Sequence, residues 1–256
     1  KSHKKGINTF QLVAPKIWAW KAGRIKQLAE NYTAVFPILP FEDELLKSGG
    51  VNSIYCGHPL LDSIGVVKEQ SEKTKVLALL PGSRKQEIKK ILPVMIEAAA
   101  KIDGFTIVIA GAPGLDSQDY KTANDAGVNV VFGETRELLK RSEIALITSG
   151  TATLEAALLD TPHVLVYKTS KLTFLAAKAV VNVEHIGLPN LILGRELVPE
   201  LIQGDCTSNN ITNCLKTIAD NPSAQLKGFE EIRKKLGDSG ASKEVAKRIL
   251  EIINPS

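Results

Sequence analysis

The sequence predicts an α/β protein built on a doubly wound parallel sheet, with a smaller α/β segment ahead of it. Three observations carry that prediction. From residue 75 onward, short apolar runs alternate with stretches of helical length. The apolar runs are continuous rather than alternating, which implies strands buried on both faces and so a parallel sheet covered by helices. Most of these runs end in turns containing Gly, Ser or Pro, the residues that break one element and start the next.

Residues 9–13 and 34–38 read as the first strands, with a basic stretch around Trp18 and Trp20 between them. Polar residues 68–75 are the best linker. Strands then follow at 76–80, 105–110, 128–132, 144–148 and 164–167, separated by helical stretches at 85–102, 116–126, 134–141 and 151–159. After Pro199 the chain reads as helical, over 209–219, 224–236 and 242–253, with breaks at Asn221-Pro222 and at 237–240. A doubly wound sheet binds ligands beyond the carboxyl ends of its strands. The turns at 81–84, 111–114, 132–134 and 149–151 fall at such ends and are expected to face one crevice.

A chain of 256 residues suffices for one large or two modest domains. With 44% hydrophobic and 23% charged residues, its composition is that of an ordinary soluble globular protein. The net charge of +4 suits anionic substrates or a membrane surface. Nucleic acid is not expected as a partner, because no dense Lys/Arg block with interleaved aromatics occurs. Cys56, Cys206 and Cys214 show no Cys-x-x-Cys spacing, so reduced cytosolic thiols are expected and a zinc site is not. No run of about 18 apolar residues could span a bilayer. The opening Lys1-Ser2-His3-Lys4-Lys5 lacks a Met and an apolar signal core, and reads like the interior of a longer chain.

The most informative stretch is Ser149-Gly150-Thr151-Ala152-Thr153-Leu154-Glu155, directly after an apolar strand. A strand that breaks at Ser-Gly and restarts as a helix leaves backbone N–H groups and the positive dipole end facing outward, which suits a phosphate. Glu155 lies one turn in, where its carboxylate could accept hydrogen bonds from sugar hydroxyls. Together these features suggest a nucleotide diphosphate-sugar site, although Ser-Gly-Thr also begins helices that need only an N-cap. Pro81-Gly82-Ser83-Arg84 follows the strand at 76–80. There Gly82 permits close backbone approach and Arg84 offers a forked donor to phosphate oxygens. An arginine at a helix start opposes the dipole, so a bound anion accounts for it better than a bare surface position. The chain has neither a Walker A loop nor Gly-x-Gly-x-x-Gly.

Other motifs carry two readings each. Leu188-Pro189-Asn190 could hold a sugar hydroxyl or phosphate, or form an ordinary turn. His58, in Cys56-Gly57-His58-Pro59, has a suitable pKa for proton transfer but also suits a structural turn. His163 and His185 lie in apolar settings and read as structural; His3 reads as solvated. Residues 168–181 place Leu172, Leu175, Ala176 and Ala179 on one helical face flanked by Lys171 and Lys178. This fits a membrane-surface helix or one packed on its own protein. Trp18 and Trp20, with Lys16, Lys21, Arg24 and Lys26, make a second basic-aromatic patch that is open to the same alternatives.

Taken together, the motifs resemble one family. Val13-Ala14-Pro15-Lys16-Ile17-Trp18-Ala19-Trp20-Lys21, Arg24-Ile25-Lys26, Leu39-Pro40-Phe41-Glu42 and Gly57-His58-Pro59-Leu60-Leu61-Asp62 stand in the order found in lipid-A-disaccharide synthases. Leu80-Pro81-Gly82-Ser83-Arg84 with Glu87, the motif at 149–155, Leu188-Pro189-Asn190 and Val198-Pro199-Glu200-Leu201 continue that order. The resemblance implies a GT-B-like fold: a nucleotide-binding domain plus the remaining part of an N-terminal Rossmann-like domain. It implies a metal-independent, inverting glycosyltransferase without cofactors, joining UDP-2,3-diacylglucosamine to 2,3-diacylglucosamine 1-phosphate (a lipid X type acceptor). Such an enzyme is cytoplasmic and peripheral on the inner face of the Gram-negative inner membrane. A homodimer is compatible with this reading.

By position, Gly82, Ser83, Arg84 and the helix start at Ser149, Gly150 and Thr151 would bind the diphosphate. Glu155 would hold the ribose, Asn190 would be a polar active-site residue, and backbone at Phe132, Gly133 and Glu134 would meet uracil. Trp18, Trp20, Lys21, Arg24, Lys171 and Lys178 would lie toward membrane and acceptor. The expected domains are residues 1–67, an acceptor-side remnant; 68–238, a UDP-sugar-binding domain; and 239–256, a C-terminal helix packing back on the first. The family's Gly-rich opening loop and its Asp-x-Pro-x-Phe-Asn segment, which carries the proposed general base, are absent. Lys21 stands where arginine is common. The catalytic base is accordingly expected upstream of residue 1, and this stretch alone is not expected to be a competent enzyme. The alternatives are a UDP-sugar epimerase or hydrolase of the same fold, or a non-catalytic UDP-sugar-binding fragment.

Overall fold

A computed structural model describes residues 6–16, 23–65, 73–148, 150–169 and 184–254. These fall into two compact units. One comprises the described residues up to 65 together with residues 233–254; the other comprises those from 73 to 169 and 185–232.

The larger unit is a six-stranded, wholly parallel sheet in the order β5-β4-β3-β6-β7-β8. Its strands are β3 (Thr74–Leu80), β4 (Thr106–Gly111), β5 (Asn129–Phe132), β6 (Ser142–Thr148), β7 (His163–Tyr167) and β8 (Glu200–Ile202). The apolar runs at the centre are buried as continuous strands must be: Leu77–Leu80 of β3 and most of β6 are closed to solvent. Helices α4 (Lys85–Ala99), α5 (Lys121–Asp125), α6 (Thr135–Arg141), α7 (Thr151–Leu158), α8 (Leu188–Leu193), α9 (Ser208–Asp220) and α10 (Ser223–Leu236) connect or follow the strands. Ile88, Ile91, Leu92 and Met95 of α4 and Ile211, Leu215 and Ile218 of α9 close over one apolar cluster with Leu77, Leu79 and Leu146. Burial on this scale, at about 25 cal/mol per Å² of apolar surface, is the main force holding the unit together.

The chain winds outward from β3 to β4 and β5, then returns to place β6 on the other side of β3. The topological switch point therefore lies between β3 and β6, where Leu80 registers with Ile147.

The structure corrects several boundaries. The region after Pro199 is not purely helical, since β8 pairs with β7 through Leu165↔Glu200. The stretch at 116–126 is a 3-10 turn, Ser117–Tyr120, followed by the short α5. Lys73 to Lys75, inside the expected linker, belong to the sheet unit: β3 starts at Thr74, and the Lys73 ammonium donates to the carbonyls of Leu139 and Leu159 and to Thr161 Oγ1.

In the smaller unit, β1 (Phe10–Leu12) and β2 (Ala34–Phe36) pair in parallel. Helices α1 (Gly23–Asn31) and α2 (Pro40–Ser48) contribute Ile25, Leu28 and Leu46 to a core shared with Ala14, Val35 and Val51. Helix α3 (Pro59–Ile64) is capped by His58, whose Nδ1 accepts the Leu60 amide at 3.1 Å. Asp62, near the end of α3, reaches the start of α11 (Ala241–Ile253). Its carboxylate accepts the amides of Gly240, Ala241 and Ser242 and the Ser242 hydroxyl. Those four bonds hold its carboxyl below the usual aspartate range. The His58 ring is buried and serves as a cap, which favours the structural reading of this residue over proton transfer.

Candidate active site

A cleft of about 690 Å³ opens at the carboxyl ends of β3, β4, β5 and β6. Each of these strands ends at its wall, and after β3, β5 and β6 the next helix begins there as well. From β3 come Leu80, Gly82 and Ser83; from β4, Gly111, Ala112 and Pro113; after β5, Gly133, Glu134, Thr135 and Arg136; from β6 and the start of α7, Thr148, Gly150, Thr151 and Glu155. Parallel winding accounts for this convergence. Every strand points the same way, so α4, α6 and α7 all begin on this side and bring their unpaired N–H groups and positive dipole ends to it.

Gly82 has φ +101°, a conformation that suits glycine, and a Cβ there would come within 3.1 Å of a Glu87 carboxylate oxygen. Arg84 is the N-cap residue of α4 and is 79% exposed, its Nη1 2.9 Å from Oε1 of Glu87, which lines the cleft. Helix α7 starts on Gly150, which has φ +146° and no side chain with which to cap the helix. Thr153 Oγ1 donates to Gly150 O at 2.8 Å and tightens the turn. Ser149 lies outside the described residues. One turn on, Glu155 Oε1 accepts from Arg136 Nε at 2.9 Å. Just before Gly133, Phe132 is 39% exposed and packs edge-on against buried Tyr120, whose hydroxyl accepts the Ala112 amide at 2.8 Å. Gly111 makes room for that ring, since a Cβ there would come to 2.4 Å from it.

The cleft thus offers backbone donors from three helix starts, Arg136 from its side, and four carboxylates, of which Glu87 and Glu155 are each paired with an arginine and Glu137 with Lys140. This arrangement can hold a polyanion with a hydroxyl-bearing group alongside.

The chain matches the lipid-A-disaccharide synthetase family over residues 1–251. The lipid-A-disaccharide synthase of Syntrophus aciditrophicus is 35% identical over 99% of this chain and 71% of its own length. The chain belongs to that family. The synthase of Myxococcus xanthus is 34% identical over 98% of this chain and 70% of its own. Among solved structures, the UDP-GlcNAc 2-epimerase of Neisseria meningitidis, bound to UDP-GlcNAc, superposes with a TM-score of 0.59 at 18% identity, covering 98% of this chain and 71% of that one. Acinetobacter baumannii MurG gives 0.58 at 14%, covering 98% and 69%. At such identities the likeness speaks to fold, and the fold is GT-B-like.

In this lipid-A-disaccharide synthase relative, the cleft brings together Gly82, Ser83, Gly133, Glu134, Gly150, Thr151 and Glu155. Arg84 and Phe132 are not among the lining residues, although each is the chain neighbour of one that is, Ser83 and Gly133. Asn190 is not among the lining residues. It is fully buried, and its amide is spent within its own segment. Nδ2 donates to Val198 O and Glu200 Oε1, and Oδ1 accepts from the Leu197 and Val198 amides, all at 2.8–2.9 Å. An asparagine amide has two donors and two acceptor positions, so this knot leaves none for a ligand. Glu200 completes it by accepting the Ile186 and Gly187 amides. Arg24 lies on α1 in the smaller unit, whereas the cleft is formed by the larger one. Trp18, Trp20, Lys21, Lys171 and Lys178 fall outside the described residues.

Sequence reasoning overlooked Arg136 and Thr148. Arg136 carried the signal used for Arg84, a basic residue in the first turn of a helix after a strand. Thr148, as the last residue of an apolar strand, carried no signal of its own.

Proposed function

We propose that this lipid-A-disaccharide-forming glycosyltransferase seats the UDP of its donor, UDP-2,3-diacylglucosamine, in the cleft at the β3/β6 switch point. The diphosphate lies between Gly82-Ser83-Arg84 and the start of α7, Glu155 accepts the ribose hydroxyls, and backbone at 132–135 meets the uracil. The sugar is transferred to 2,3-diacylglucosamine 1-phosphate, giving the β-1,6 disaccharide and UDP with inversion. Negative charge grows on the departing diphosphate as the glycosidic bond breaks. In this reading Arg84 and the N–H groups of α7 meet that charge, and donors oriented in advance favour the transition state over the ground state. The observation that carries this reading is the meeting of a positive-φ glycine, a helix start and an arginine-paired carboxylate in one cleft, with Arg84 reaching it through Glu87.

Both substrates are acylated, so the enzyme works against the cytoplasmic face of the membrane as a peripheral protein. No helix among the described residues is long and apolar enough to cross a bilayer.

Calorimetric titration with UDP tests the site. Removing a charge-assisted phosphate contact costs about 1.5–3 kcal/mol. Arg84→Ala should therefore weaken UDP binding roughly 10- to 100-fold. Unchanged affinity in a folded variant would overturn the assignment.

A further inference from the structure

We propose that the Thr148 hydroxyl is a direct ligand of the donor's diphosphate. The inference rests on the reading of the cleft given above and adds to it a residue that neither the arginine nor the helix start implies.

Thr148 ends β6 at the switch point, with Ile147 before it registered against Leu80 of β3. It is only 5% exposed, yet it lines the cleft. Its methyl group faces the glycine turn after β3, where a Cβ on Gly82 would lie 3.7 Å from Thr148 Cγ2. Its hydroxyl has no hydrogen-bond partner in the protein. A buried hydroxyl without a partner is unusual, because folding has stripped it of water without replacing the bond. Elsewhere the unit satisfies such groups: Ser142 Oγ donates to Leu138 O at 2.6 Å, and Thr161 Oγ1 to Leu139 O at 2.7 Å. Among the described residues the unit also leaves His163 Nε2, Gln203 Nε2 and Ser208 Oγ without a partner, but of these residues Thr148 is the one that lines the cleft, between the Gly82 turn and the Gly150 helix start.

The group that would satisfy it must be a strong acceptor able to lie between two positive-leaning backbone turns. A phosphate oxygen meets that description better than a sugar hydroxyl, which would gain little from the dipole of α7. The hydroxyl would donate a hydrogen bond to a non-bridging oxygen and keep that bond as the glycosidic bond to UDP breaks. Because a threonine hydroxyl is neutral, the contact orients the diphosphate without adding charge. The orphaned bond is also a reason for the threonine itself, since valine would fill the same space after the apolar run from Ile144 to Ile147.

The test compares the parent with Thr148→Val and Thr148→Ser, titrating UDP and uridine separately. Thr148→Val keeps the shape and removes the hydroxyl, and should weaken UDP about tenfold while leaving uridine unchanged. Thr148→Ser should hold UDP within about threefold of the parent. The thermal midpoint of the valine variant should equal or exceed the parent's, because a buried unsatisfied group has been removed. UDP affinity equal to the parent's in Thr148→Val would overturn the proposal, as would equal losses for UDP and uridine. Failure of the parent itself to bind UDP would instead bring down the reading of the cleft.

Discussion

At the scale of single residues, the cleft is governed by the pairing of charges. Glu87 and Glu155 would repel a diphosphate if they stood alone. Each is held by an arginine at 2.9 Å, which offsets part of that repulsion. The Arg136–Glu155 pair is 40% and 16% exposed, and a pair this open contributes at most about 1 kcal/mol to stability. Its use is orientation: Arg136 engages one oxygen of Glu155 and fixes the plane of the carboxylate. Glu155→Gln should therefore leave the unfolding midpoint nearly unchanged. It should weaken UDP by roughly 10-fold or more, since bonds to a charged acceptor are worth about 1.5–3 kcal/mol, but hardly affect pyrophosphate, which lacks a ribose. Equal losses for the two ligands, measured by calorimetry, would argue against the ribose role.

At the scale of elements, motifs read as functional words separate into those that build the cleft and those that tie the chain to itself. Gly57-His58-Pro59-Leu60-Leu61-Asp62 belongs to the second group. His58 caps α3 from its own N-terminus and Asp62 caps α11 from 178 or more residues away. Capping side chains of this kind are worth about 0.5–2 kcal/mol. Asp62→Ala should lower stability by about 1–2 kcal/mol in urea unfolding. Loss of α11 protection should show in amide exchange, with exchange in β3 and β6 unchanged. Uniform loss across both units would mean that Asp62 supports more than the helix start. The same comparison shows what a lone sequence reveals. Long apolar runs such as those of β3, β6 and β7 were legible because burial on both faces forces an unbroken pattern. Strand β8, three residues long and opened by Glu200, was not, because its polar start answers to the Ile186 and Gly187 amides and not to the sheet. Asn190 misled for a related reason. A polar residue in a proline-set turn looks the same in sequence whether its amide faces a ligand or its own backbone. Arg84 was legible because an arginine at a helix start is locally unfavourable, whereas the vacancy at the Thr148 hydroxyl exists only once the sheet has closed around it.

For the molecule as a whole, the buried histidines link fold to pH. The His58 ring lies in the smaller unit with Nδ1 accepting and Nε2 unpartnered. His163 opens β7 in the larger unit, fully buried and stacked on Phe229 at 5.8 Å. Its Nδ1 lies 2.9 Å from Thr161 O, and its backbone is clasped on both sides by the Gln225 amide. Burial pushes both rings down to a pKa of about 4, because neither site can solvate an imidazolium. An unfolded histidine takes up its proton near pH 6.5. Both rings thus contribute stability that is fully present above the unfolded pKa, and it is lost as the pH falls from there toward the folded value. Each can account for about 2–3 kcal/mol of that loss by linkage, a large share of a typical domain's stability. His163→Phe keeps an aromatic ring against Phe229 and removes the titration. Urea unfolding of the larger unit at about pH 7 and about pH 4.5 should then show a loss in the parent that exceeds the variant's by roughly 2 kcal/mol. An equal loss in both would mean that His163 is protonated in the folded protein, or that carboxylates alone set its acid limit.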